Sequence, residues 1–196
     1  MSLVRDIVYA GVGLKRLLSF QDNWRECFDV SYEGVTRSFR AAWLTLPFYA
    51  FIMLGFVHLV AAYGRVHTGY SPGFLIFEFA RLWLVFPIVA AFVCTVFGRK
   101  RDYGLWLTAH NWAILAIIAL QALLLMVFLA GLLPAEAVAF TLAIPVRILV
   151  LAIHWRIATS ALNLSWGTGA AAATLHIVVD LLVQTGIGYA FPPPSG

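Results

Sequence analysis

Charge is what this chain has least of. Of its 196 residues 11% are Asp, Glu, Lys or Arg, against about 25% in ordinary soluble domains, while 62% are hydrophobic. A water-soluble core could not absorb so much apolar surface, so an ordinary soluble domain is excluded. Cysteine is nearly missing too. Cys27 and Cys94 stand far apart with no CxxC or Cys/His ligand spacing, which excludes a disulfide framework and a structural zinc site and leaves two free thiols. HExxH, GxSxG, a Walker glycine loop and a strand-borne GxGxxG are all lacking, so no enzyme class is indicated. The net charge of +4 comes without a nucleic-acid module or a basic face beyond what membrane topology demands, so no nucleic-acid partner is expected. Lysine is scarce beside arginine, 2 against 11, and with abundant Ala and Leu this usage predicts a high-GC bacterial source.

What is present is a series of membrane-length apolar runs. About 20 residues cross a bilayer as a helix, and the sequence predicts five such spans near 41–63, 74–97, 105–133, 135–155 and 169–190. The expected fold is therefore all-α: a five-helix transmembrane domain over 38–190, preceded by a cytoplasmic amphipathic and juxtamembrane segment over 1–37. The tail over 191–196 carries Pro192, Pro193 and Pro194 and cannot continue a helix. Near the amino terminus Leu3, Ile7, Leu14, Leu17 and Leu18 share a helical face. The uncharged run from Ile7 to Leu14 is too short to span, and no small-residue cleavage site follows it, so a surface helix is expected, packed on the bundle or touching lipid. Asp29 or Ser31 suits a helix N-cap with Glu33 in the first turn. Pro47, Pro87 and Pro145 fall inside spans one, two and four, where each removes a backbone hydrogen bond.

Basic residues give the orientation. With the amino terminus inside, Arg5, Lys15, Arg16, Arg25, Arg37, Arg40, Arg99, Lys100, Arg101 and Arg156 are all cytoplasmic, and Arg65 lies in an outer loop that also carries His67. Trp43, Trp106, Trp155 and Trp166 then fall at inner ends and Tyr63, Tyr70 and Tyr189 at outer ends, as amphipathic rings prefer. The sequence thus predicts a multi-pass protein of the bacterial cytoplasmic (inner) membrane, amino terminus in, carboxyl terminus out.

Polar residues inside the spans are the functional candidates. His176, Asp180 and Gln184 recur every four residues on one face of the last span, and an ionised carboxylate at that depth needs a partner from another helix. Arg147 on the fourth span is the expected partner; an unpaired charge there costs at least about 2.5–3.5 kcal/mol. Glu78 and Arg81 on the second span form an i,i+3 pair that partly neutralises itself. His110, His154 and His176 fall in the inner half on three helices, and Gln121, three turns from His110, extends a polar stripe on the third span. Gln184, Gln121, Glu78, Arg81 and His58 lie toward the outside.

This seam supports several roles. Interhelical hydrogen bonds and close packing at Gly169, Ala173, Ala139 and Ala143 would make an accessory, scaffold or assembly subunit of a larger membrane complex, or a self-associating protein. The same His, Asp and Arg ladder could carry protons or a small solute, although five spans do not divide into inverted halves. Third, any two of His110, His154 and His176 could ligate a b-type haem; no other cofactor and no metal site is expected. Five spans after a polar head resemble small Yip1-type membrane proteins in layout. The resemblance is one of span count, and no residue role follows from it.

Overall fold

The computed structural model describes residues 3–65 and 69–192; His67 and residues 193–196 of the tail lie outside these. The protein is 84% helix, with no strand among the described residues. Among the described residues eight α-helices follow in order: α1 (Leu3–Leu18), α2 (Tyr32–Ser38), α3 (Arg40–Ala62), α4 (Pro72–Val96), α5 (Tyr103–Leu129), α6 (Ala135–Ala143), α7 (Pro145–Ala161) and α8 (Trp166–Ala190). Counting α2 with α3 and α6 with α7, five helical units are long and apolar enough to cross a membrane, as the hydropathy predicts.

Local chemistry sets the ends. Ser31, Ser71 and Ser165 accept from the N–H of Gly34, Phe74 and Thr168 at 3.1, 3.2 and 3.2 Å, so serine caps α2, α4 and α8. Asp29 is not the cap; it accepts instead from the Ser31 N–H at 3.0 Å and from Arg37 at 2.6 Å. Gly98 and Gly131 stop α4 and α5 with φ of +66° and +72°, a backbone region costly for a side chain. Pro47 and Pro87 are carried inside unbroken helices, whereas at Ile144 and Pro145 the fourth unit breaks into two. That unit runs on to Ala161, past the expected end at 155, and α8 begins three residues earlier than expected.

Four units pack in a ring, α4 on α8, α8 on α7, α7 on α5 and α5 on α4, and α3 packs most extensively along α5 with a smaller contact to α6. Close approach is built in with glycine. A Cβ on Gly55 of α3 would sit 2.8 Å from the Leu125 Cβ, and one on Gly169 of α8 would fall 2.9 Å from the Thr159 Cα. The outward faces are apolar: Ile76, Leu84, Ile88, Phe92 and Val96 follow one stripe of α4, and Ile88 is 69% exposed. A stripe of that length facing water would be an aggregation surface; facing acyl chains it costs nothing.

The surface helix α1 buries Ala10, Gly13 and Leu17 and leaves Val4, Val8 and Tyr9 exposed. It is therefore docked on the bundle with a second apolar face uncovered. Arginines tie this end together. Arg25 donates to the Ser160 carbonyl, Arg99 to that of Asn163 at 3.4 Å, and Arg156 to that of Leu17 at 3.2 Å. The first two cover carbonyls at the carboxyl end of α7, where a cation complements the helix dipole. At the opposite end Phe191 stacks on Phe77 with centroids 4.9 Å apart.

Candidate functional site: an intramembrane polar chamber

Side chains from all five units meet around a cavity of about 250 Å³. Its polar lining includes Tyr49 of α3, Glu78 and Arg81 of α4, His110 and Gln121 of α5, Arg147 and His154 of α7, and His176, Asp180 and Gln184 of α8. Nine of the ten seam residues expected from the sequence are thus brought to one space. His58 is not. Its Nδ1 bonds the Leu54 carbonyl one turn back on its own helix at 2.9 Å, which satisfies the ring locally and keeps it out of the seam.

The charge pairing differs from the expectation. Asp180 pairs with Arg81, not Arg147. Arg81 also holds Glu78, with Nε and Nη2 at 2.9 and 2.8 Å from Oε2, so one guanidinium bridges two carboxylates across the α4–α8 contact. Depth alone puts Arg147 level with Asp180, but α4 packs on the same α8 and delivers an arginine already held by its i,i+3 glutamate. Arg81 and Glu78 are 8% and 4% exposed. Arg147 is exposed, lines the cavity, and has no hydrogen-bond or ion-pair partner among the described residues.

One layer nearer the basic end the three histidines pack ring to ring. Their centroids are 5.0 Å apart for His110 and His154, 5.2 Å for His110 and His176, and 5.1 Å for His154 and His176. Phe86 of α4 closes the group, lying flat on His110 at 3.3 Å and edge-on to His176 at 4.9 Å, with Trp106 edge-on behind it. Among the described residues neither ring nitrogen of His110 nor Nδ1 of His176 has a hydrogen-bond partner, and neither does Glu78 Oε1. Buried polar atoms are normally satisfied by protein or by water, so the ones that line this cavity are groups a water or a polar ligand there would bond. Among the described residues no group of three or more His, Cys, Asp or Glu side chains is arranged to hold a metal ion. A haem between two of these rings would have to part a packed contact.

Phe86, Tyr49 and Asn111 were not singled out from the sequence. Phe86 lies eight residues after Glu78, about 80° round α4 from it and about 140° from Arg81, so helical spacing gives no signal that would mark it. Tyr49 donates to the Leu75 carbonyl at 3.2 Å, joining α3 to α4 beside the chamber. Asn111, 1% exposed, donates to Ser38 Oγ at 2.9 Å and fixes α5 against α2.

Five spanning units around a partly open cavity with a polar seam define the class: a multi-pass helical membrane protein. No family model, curated protein or solved structure matches the chain.

Proposed function

We propose that this protein is a small transporter of the bacterial inner membrane, amino terminus in and carboxyl terminus out, which passes protons or a small polar solute through the chamber. The reading rests on the orphaned nitrogens of His110 and His176. Polar residues that serve as interhelical glue are bonded to one another, and these line a space instead. Below them the bridged Glu78, Arg81 and Asp180 supply a charged step that opens if Asp180 takes a proton. The test is flux: in vesicles with an imposed pH gradient, Asp180→Asn and His176→Ala abolish dye-reported proton or solute movement while folded protein is retained. Unchanged flux in both variants refutes the reading.

A second reading, accessory subunit of a larger membrane complex, is favoured by one observation. Arg147 is a charge near mid-membrane without an intramolecular partner, and a neighbouring protein's carboxylate could supply one. Gentle-detergent purification that brings down a stoichiometric partner, released by Arg147→Gln, would establish it. Haem binding is decided by a Soret band in the purified protein.

A further inference from the structure

The chamber is unevenly closed. The α3–α5 contact is not matched where α3 faces α7 and α8: Ile52 closes on Leu142 and Val146, but the partly exposed Met53 and Phe56 of α3 line the cavity opposite Arg147, Val150 and Ile177. Arg147 stands at this gap. It is twelve residues from the start of α6 and fourteen from the end of α7, about 18 and 21 Å along the helices, and so near the bilayer centre.

Three features of the place favour an anion. The guanidinium of Arg147 is uncommitted, whereas Arg81 is bridged by two carboxylates. Arg147 is the third residue of α7, whose first turn begins at Pro145 with no side-chain cap, so the positive end of a 17-residue helix lies beside it, offset in part by the carboxyl end of the nine-residue α6 that abuts it. A helix interrupted at mid-membrane, with an amino end facing its ligand's acid group, is a general way to hold anions away from water. Buried His110 and His176, with ring nitrogens lacking partners, add hydrogen-bonding capacity in the same cavity. Asp180 and Glu78 face this space too and oppose an anion near Arg81, which leaves the α7 side. The remainder of the gap is apolar, offered to the acyl region of the bilayer.

We infer that the chamber binds a monoanionic amphiphile through the α3–α7 gap, its acid group on Arg147 and its apolar chain along Met53, Phe56 and Val150. The inference deepens the transport reading by naming a ligand class and rests on it only for purpose, since binding is measured without flux.

The test uses the full chain in phosphatidylcholine vesicles and a diazirine-bearing palmitate, with the matching alcohol as uncharged control and labelled residues mapped by mass spectrometry. The acid labels Met53, Phe56 and Val150 about tenfold more than the alcohol, the ratio expected if one desolvated ion pair contributes about 1.4 kcal/mol. Arg147→Gln removes the preference and Arg147→Lys keeps most of it. Val150→Trp, which fills the gap and leaves the charge alone, lowers labelling by acid and alcohol together, and stands in should Arg147→Gln fail to fold. Equal labelling by acid and alcohol overturns the inference, as does labelling indifferent to Arg147→Gln or to Val150→Trp. Suppression by water-soluble butyrate as strong as by excess palmitate overturns the amphiphile, and a co-purifying protein released by Arg147→Gln overturns the ligand. Acid-selective labelling without flux would leave the site standing and sink transport.

Discussion

Replacing Arg81 should be the most destabilising single charge change in the bundle, and its size follows from the bridge it makes. Its side chain is 7% exposed and that of Glu78 5%, so Arg81→Gln strands a carboxylate with almost no access to water, beside a second, Asp180, that is 30% exposed. Removing one partner of a buried pair costs about 3–5 kcal/mol, and the part owed to Asp180 is reduced by its exposure. Asp180→Asn behaves differently. It leaves the Glu78–Arg81 pair intact and charge-balanced, so the loss should be near 1 kcal/mol, the net worth of a partly exposed contact. Arg147→Gln removes a charge with no hydrogen-bond or ion-pair partner among the described residues and should be neutral or stabilising. The seven tryptophans give a fluorescence signal for unfolding from mixed micelles by titrated dodecyl sulfate. The expected order of loss is Arg81→Gln well above Asp180→Asn, with Arg147→Gln last, and Glu78→Gln combined with Asp180→Asn should recover much of the Arg81→Gln loss by neutralising both stranded acids. If Arg147→Gln costs as much as Arg81→Gln, the bridge is misassigned and the pairing of Asp180 with Arg147 is restored.

Other measurements follow from the same contacts. Gly169→Val drives a side chain into Thr159 at the α7–α8 contact and should cost about 1–3 kcal/mol in the same titration, where Gly167→Ala, with open space around its Cβ position, should cost nothing. His110→Phe replaces a ring whose nitrogens bond nothing by one that can keep the stacking on Phe86; stability should hold within about 1 kcal/mol while any flux through the chamber is lost. At the basic end the Ser31 hydroxyl and N–H, and after them Arg37, hold the Asp29 carboxyl below its ordinary value of 3.8. A group whose folded value is depressed stabilises above its unfolded value and loses that contribution as pH falls through the folded one. Ser31→Ala should therefore lower stability at every pH by losing the α2 cap, about 1 kcal/mol, and by a further increment above about pH 4 that fades as the pH falls below it, read from melting curves across that range.

Hydropathy made the five units legible because a bilayer imposes a length and forbids unpaired backbone, so few alternatives compete for an apolar run of that size. The histidine group was legible for a related reason. His110 is seven residues from the start of α5 and His154 seven from the end of α7, so counting from the helix ends toward the middle sets their depth. Depth, however, is one coordinate of three. Read from the sequence it puts Arg147 level with Asp180 and Arg81 further out, and it says nothing of which helix lies beside α8. Adjacency comes from packing, through small-residue approaches such as Gly169 on Thr159, and a periodic pattern identifies a face without identifying what it faces.

The pairing that packing selected also accounts for the position of Arg147. Had it met Asp180, the polar residues of α7 and α8 would close on each other, and Arg81 with Glu78 would form a separate, self-contained pair on α4. With Arg81 taking both carboxylates, the acids are drawn toward α4. One cation is left across the cavity at the α6–α7 break, where Pro145 cannot donate a hydrogen bond to the preceding turn. Holding a cation apart from its nearest acids near mid-membrane costs electrostatic free energy, and an anion placed beside Arg147 would lower that cost.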